Sequence, residues 1–251
     1  MDYAKLMTQA AKLRKDYGSD ENSPIDIFAF AQVIDGLTIA YYPFGDNLSG
    51  MCVKGQYCDN LIAINSAMTL GRQRFSLAHE FYHLFYDDNT VSVCSMNINS
   101  GNETERKADM FASYFLMPDL ALTEMAERLA AKHGNKLSLD DVIRIEQFFG
   151  VSHQAAVSRL RHTPYLNNEE AEKFLSKPVR HIAQSLGYSP ALYEPSPDEK
   201  RYMTYGHYIG QVEAALNEGL VSQGKYEELL MDAFRPDLVY GNGEEEEAIL
   251  D

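Results

Sequence analysis

The sequence of 251 residues has no apolar run that approaches the roughly 18 residues a membrane-spanning helix requires. Its first residues have neither the basic segment nor the apolar segment of a secretion signal. Cysteine is scarce: the chain has 3, and no two of them have Cys-x-x-Cys spacing. Sparse cysteines of this kind are typical of a reducing compartment. We therefore expect a cytoplasmic protein with no membrane partner.

Basic residues are also in short supply. The chain has 22 lysines and arginines against 37 aspartates and glutamates, which gives a net charge of −15. A surface of this sign repels a phosphate backbone at long range, so direct nucleic-acid binding is not expected, whereas a basic protein partner is favoured. Part of the charge lies in the acidic run at 244–247, which predicts a solvated tail.

The apolar spacing predicts an α+β fold that is mainly helical. Residues 37–42, 49–54 and 60–65 have the composition of strands and predict a small antiparallel sheet, and most of the remaining chain has helical periodicity. Residues 1–162 are predicted to form one domain, and residues 163–251 a helical C-terminal extension with the acidic tail. With 45% apolar residues, the chain can bury a sizeable core.

The most informative residues are His79, Glu80 and His83, an HExxH pattern inside a helical run without glycine or proline. Histidines four apart share one face of a helix and can both bind one metal ion. Glu80 lies about 100° further round the helix, close enough to hold a water molecule without being a ligand. Zinc lowers the pKa of such a water, and the carboxylate accepts its proton as the water attacks a carbonyl. Taken alone, five residues leave an ordinary amphipathic helix as the alternative.

Catalytic zinc usually has three protein ligands and an open position. No nearby histidine supplies the third, but a helix predicted over about 105–116, after a polar stretch at 87–102, offers two carboxylates one turn apart. Glu105 is the candidate ligand, and Asp109 is a candidate acceptor for the N–H of a ligand histidine. Glu103 is a rival ligand. A solvated helix start, where acids are favoured, is the alternative interpretation of all three.

The sequence around both motifs is distinctive. Residues 72–80 read RQRFSLAHE and residues 108–118 read ADMFASYFLMP. These segments resemble the ImmA/IrrE family of metallo-endopeptidases, in which a Phe–small–Leu–Ala run enters HExxH and a later helix ends Phe-Ala…Leu-Met-Pro. The resemblance is specific over roughly 23–161 and looser over 202–234.

The resemblance implies a zincin-like core of the gluzincin type. In it His79, His83 and Glu105 would bind Zn²⁺, with Mn²⁺ as the alternative metal, and Glu80 would act as general base. It also implies a substrate: a helix-turn-helix transcriptional repressor of a mobile element, toxin–antitoxin or stress-response system, cut at few positions. Tyr82 stands where many relatives have glycine, and Asp109 where asparagine is frequent, but no ligand position is altered.

Two other functions stay open. One is a non-catalytic, metal-containing protein that relieves repression by binding a regulator. The other is a DNA-binding regulator that acts through a helix-turn-helix-like segment at 139–162, whose second helix offers Arg159 and Arg161. The low content of cations in this segment makes structural packing or partner docking the favoured interpretation.

Three further residues were considered for the site. Hydrolysis through a tetrahedral intermediate needs an electrophile for the oxyanion, and Tyr82 and Tyr114 are candidates for that contact or for a contact with substrate. Cys94 lies between the two predicted metal-binding helices, where its oxidation could modulate the site, but an inert thiol is the favoured interpretation. No feature of the sequence predicts an oligomeric state.

Overall fold

The structure is a computed structural model that describes residues 1–45, 47–55, 59–95 and 102–241. The acidic run at 244–247 and Cys58 lie outside the described residues. No helix within the described ranges is long and apolar enough to span a membrane. The helices are α1 (Tyr3–Asp16), α2 (Ile27–Gln32), α3 (Leu70–Tyr86), α4 (Glu103–Leu116), α5 (Asp119–Ala130), α6 (Leu139–Phe149), α7 (His153–Leu160), α8 (Asn168–Leu175), α9 (Val179–Ser185), α10 (His207–Asn217), α11 (Gln223–Asp232) and α12 (Pro236–Tyr240).

The strands form one five-stranded sheet in the order β4-β2-β3-β1-β5. The α+β class is as predicted, but the sheet is mixed, since β1 and β3 run parallel while the other pairs are antiparallel. The chain reverses after β1 and again after β2, so β3 regains the direction of β1 and enters the sheet beside it. The strands are β1 (Leu37–Tyr42), β2 (Leu48–Val53), β3 (Asn60–Asn65), β4 (Val91–Ser95) and β5 (Met203–Gly206).

Strands β4 and β5 differ from the sequence-based expectation. β4 lies in the polar stretch at 87–102, and β5 lies in the C-terminal part of the chain, for which the sequence predicts helices. Both are too short to carry a clear alternation, and each exists because it pairs with a longer strand. Gly206 ends β5 at φ +90°, and a Cβ there would stand 2.3 Å from the carbonyl oxygen of Leu37, so only glycine fits.

Helix α3 lies between the sheet and α4. Its buried Phe81 packs against Phe115 of α4, with ring centroids 5.7 Å apart, and Phe30 of α2 touches the same ring at 5.3 Å. All three rings are at least 96% buried. Burial of large aromatic side chains stabilises a fold by a few kcal/mol each, roughly. This cluster therefore fixes α3 and α4 beside each other.

The C-terminal extension is joined to the core through backbone contacts. The amide of Leu70, at the start of α3, donates to the carbonyl oxygen of Glu194 at 2.7 Å, and Ser196 donates through its hydroxyl to Gln73 at 3.0 Å. β5, from the extension, pairs with β1. The domain boundary after residue 162 stays a prediction, and residues on both sides of it contribute strands to the same sheet.

The helix-turn-helix-like segment consists of α6 and α7, joined through Gly150 in the left-handed region at φ +65°. Arg159 places its guanidinium 2.5 Å from Asp119 and 4.2 Å from the centroid of the Tyr114 ring. Arg161 forms an ion pair with Glu172 at 2.6 Å. Both arginines on which the DNA-binding alternative relied are thus engaged by carboxylates.

A buried polar network links this segment to the extension. His153 lies 2.5 Å from Glu146 through Nδ1 and 3.0 Å from the carbonyl oxygen of Phe174 through Nε2. Tyr193 donates to the second oxygen of Glu146 at 3.0 Å. A carbonyl oxygen only accepts, so Nε2 carries a hydrogen, and the contact between Nδ1 and Glu146 shares one further proton.

The Glu146–His153 pair binds its proton more tightly in the folded protein than in the unfolded chain. Burial lowers the pKa of His153, but the hydrogen bond and charge of Glu146 outweigh it and raise the pKa above its ordinary value. Burial also raises the pKa of Glu146. Because both folded-state pKa values lie above the unfolded ones, the stabilisation is present at low pH and is lost as pH rises through the folded values.

We predict that the free energy of unfolding of the wild type falls relative to that of a Glu146→Gln/His153→Gln double variant as pH rises above about 6.5, the ordinary histidine value. The slope is at most about 1.4 kcal/mol per pH unit, the effect of one proton. Urea denaturation of both proteins in chelator, at several pH values, measures this difference. Parallel pH profiles would show that the pair carries no extra proton.

Candidate metal centre

Helix α3 presents both HExxH histidines towards α4. His79 is 7% exposed and His83 1% exposed, and their Nε2 atoms are 3.2 Å apart. The separation of four residues puts the two rings one above the other on the buried face. Buried imidazoles require polar partners, and these come from α4 and from the end of α3.

Glu105 of α4 faces both imidazoles. Its Oε2 is 3.3 Å from His79 Nε2, and its Oε1 is 3.5 Å from His83 Nε2. Ligands about 2.0–2.1 Å from a tetrahedral ion are separated by about 3.4 Å, which agrees with these distances. Two neutral imidazoles and one carboxylate are also the donor types that zinc accepts. The three side chains therefore fit a divalent metal ion.

Each imidazole is oriented by a carboxylate on its other nitrogen. His79 Nδ1 is 2.8 Å from Asp109, as the spacing on α4 predicted, and His83 Nδ1 is 2.8 Å from Asp87. A hydrogen on Nδ1 leaves the Nε2 lone pair for a metal. Asp87 is not among the residues predicted from the sequence, although its position four residues after His83 was the available signal.

The rival ligand Glu103 lies elsewhere. Its side chain is 67% exposed and forms an ion pair with Lys107 at 2.8 Å. Glu105 is oriented by the helix start, where the side chain of Asn102 accepts the backbone N–H of Glu105 at 3.0 Å. The geometry separates two acids that the sequence left as alternatives.

Glu80 is fully buried between α3 and β2. Its Oε2 accepts a hydrogen bond from Ser92 at 3.3 Å, whereas its Oε1 has no hydrogen-bond partner among the described residues. Gly50 makes room for this oxygen, because a Cβ at that position would stand 2.9 Å from it. Burial raises the pKa of Glu80 to about 7, with the neighbouring His79 acting in the opposite direction. A carboxylate with that pKa can take up and release a proton near neutral pH.

Cys94 of β4 lies at the same site, among the candidate ligands, whereas the sequence favoured an inert thiol. One donor atom from each of His79, His83, Glu105 and Cys94 lies within 4.8 Å of all the others. Burial raises the pKa of the Cys94 thiol to about 12, while its hydrogen bond with His79 lowers it. That pKa describes the thiol without a metal, and a metal ion deprotonates a coordinating thiol.

The two tyrosines proposed from the sequence occupy different surroundings. The Tyr82 ring packs against Phe111 and Tyr86, with centroids 5.8 Å and 6.1 Å away, and is 6.0 Å from the His83 ring. Tyr114 lies beneath the guanidinium of Arg159. The contacts described for both rings are packing contacts, and an oxyanion role for either stays a prediction.

Comparison with known proteins gives the family. A search of curated proteins found no match. The family model described as the IrrE N-terminal-like domain, peptidase family M78, matches residues 36–161, half of the chain. The matched region contains the whole of α3 and α4, and with them the two imidazoles, Glu80, Glu105 and Asp109. The chain therefore belongs to the M78 family of metallopeptidases, those with an IrrE N-terminal-like domain.

Proposed function

We propose that the protein is a zinc-dependent endopeptidase. The observation that carries the proposal is the convergence of two buried imidazoles and Glu105 beside the buried Glu80, whose Oε1 has no hydrogen-bond partner in the described part of the chain. A metal-binding role alone would not require Glu80. A general base next to the ligands is the arrangement that hydrolysis of a peptide bond needs.

Each residue at the site has a separate role in the proposed hydrolysis. When bound, Zn²⁺ would supply a Lewis acid that polarises the peptide carbonyl and makes water more acidic. Glu80 accepts the proton of the attacking water through Oε1 and can then donate it to the leaving amine. Asp109 and Asp87 hold the imidazoles in the tautomer that binds metal. Ser92 keeps the Glu80 carboxylate oriented.

The proposed substrate is a helix-turn-helix repressor. Support comes from the resemblance over the two motif segments and from charge, since the net charge of −15 attracts a protein with a basic DNA-binding face. Limited cuts are expected because the catalytic residues are buried and a substrate must reach them through a specific docking event. The same observations leave the stoichiometric binder as the alternative that experiment must separate.

Metal content tests the ligand set. Purified wild type is expected to carry near-stoichiometric zinc by elemental analysis, and His83→Ala and Glu105→Ala are each expected to lose it, since each removes one ligand. Glu103→Ala is the matched control on the same helix and should keep the metal. Zinc retained by Glu105→Ala and lost by Glu103→Ala would assign the ligand to the other acid.

Activity tests the general base. Glu80→Gln keeps the shape of the side chain but cannot accept a proton, so the rate of repressor cleavage should fall by about 10²–10⁴-fold with zinc content unchanged. Intact-mass spectrometry of a purified helix-turn-helix repressor after incubation measures the cut, and Glu103→Gln serves as control. Full relief of repression by Glu80→Gln, without cleavage, would favour the stoichiometric binder.

A further inference from the structure

Strand β4 directs Cys94 into the metal centre. In the antiparallel pair of β2 and β4, Cys94 stands opposite Gly50. Residues directly opposite in such a pair project to the same face, and that face carries Glu80, because a Cβ on Gly50 would approach the Glu80 carboxylate. Cys94 therefore lies on the face of the sheet that carries the metal centre, in agreement with the 4.8 Å limit on the distances between its sulfur and the donor atoms of His79, His83 and Glu105.

The other residues of β4 follow the same alternation. Ser92 points to the site and donates to Glu80, whereas Val91 and Val93 are 53% and 54% exposed on the opposite face. The hydroxyl of Ser49 donates to the carbonyl oxygen of Cys94 at 3.2 Å and adds a contact between the strands. The register of β4 thus brings two polar side chains, a hydroxyl and a thiol, to the catalytic residues.

The strand also closes the site. Glu80 is 0% exposed and Cys94 1% exposed, and β4 contributes the hydroxyl of Ser92 to the cover over the Glu80 carboxylate. β4 is a five-residue edge strand, and its departure would uncover the edge of β2. An exposed strand edge is a surface to which an extended peptide adds by backbone hydrogen bonds.

We propose that Cys94 is the fourth ligand of the metal and that β4 keeps the enzyme latent until an extended substrate segment replaces it on β2. A tetrahedral zinc site with four protein ligands is closed, whereas catalysis requires one open position. Binding breaks the S–H bond of Cys94, the sulfur donates its electron pair to the metal, and the proton leaves to solvent. If β4 departed, Cys94 would regain a proton from solvent and one position on the metal would become open, with no change of oxidation state.

The latency part of the proposal rests on the proposed peptidase function. Binding of the metal by Cys94 can be measured without an activity assay. Apoprotein reconstituted with Co²⁺ should have a thiolate-to-Co²⁺ charge-transfer band in the near ultraviolet. The band should vanish in Cys94→Ser and Cys94→Ala and persist in Cys52→Ser, the matched control with a buried cysteine on β2. Affinity for Zn²⁺ should fall on the order of tenfold or more in both Cys94 variants, as loss of even an indirect partner does.

The spectra can overturn the proposal without any variant. Absence of the charge-transfer band in Co²⁺-loaded wild type means that no thiolate binds the metal. A band that persists in both Cys94 variants means that another cysteine supplies it. Either result overturns the role of Cys94 and leaves the peptidase proposal standing.

Activity completes the test. Cleavage of the repressor by Cys94→Ser should be at least tenfold faster than by wild type at saturating Zn²⁺, and Cys94→Ser/Glu80→Gln should be inactive. A Cys94-dependent band without faster cleavage by Cys94→Ser overturns latency. If the band depends on Cys94 and no variant cleaves the repressor, the fourth ligand stands and the proposed substrate fails.

Discussion

The contact between α3 and α4 through two imidazoles and one carboxylate is the constraint on which the rest of the structure depends. Buried polar side chains destabilise a fold unless each has a partner. Here Asp109 and Asp87 serve the outer nitrogens of the imidazoles, and Glu105 faces the inner ones. The two Nε2 atoms and the Glu105 carboxylate lie within about 3.5 Å of one another, and their lone pairs point into the same space. Without a cation between them, these lone pairs repel each other. The fold therefore supplies the rigidity, and a bound metal ion would supply the missing positive charge.

Much of this site could be predicted from local pattern. HExxH needs only a helix for its geometry, and the helix is marked by periodicity that extends over the whole of α3. The Glu105–Asp109 spacing similarly needs only α4. The side chains of Ser138 and Ser152 cap the N-termini of α6 and α7, and such caps are readable from local sequence because capping depends on residues within one turn.

The rest depends on contacts distant in sequence. Glu103 and Glu105 are equivalent as helix-start acids, and only packing of α4 on α3, with Lys107 pairing Glu103, distinguishes them. β4 has only five residues, and it forms a strand because it pairs with the edge of β2. The local sequence therefore predicts neither the strand nor the position of Cys94 in the site. The parallel pair of β1 and β3 likewise follows from the order in which strands join the sheet.

The family match ends at residue 161, but the architecture continues beyond it. β5 extends the sheet on the edge opposite β4, and the segment before it holds the N-terminal end of α3 through Glu194 and Ser196. The Glu146–His153 pair joins the last matched helices to Tyr193. The two edges of the sheet thus differ in their surroundings: the segment that leads into β5 contacts the N-terminal end of α3, and β4 at the other edge contacts Glu80.

The central claim is that α3 and α4 together hold one catalytic metal ion. The most direct test is diffraction from crystals of zinc-loaded protein, with data collected just above and just below the zinc absorption edge. The account predicts one anomalous peak within bonding distance of His79 Nε2, His83 Nε2 and Glu105. The absence of a peak there, or a peak held by other side chains, would contradict it.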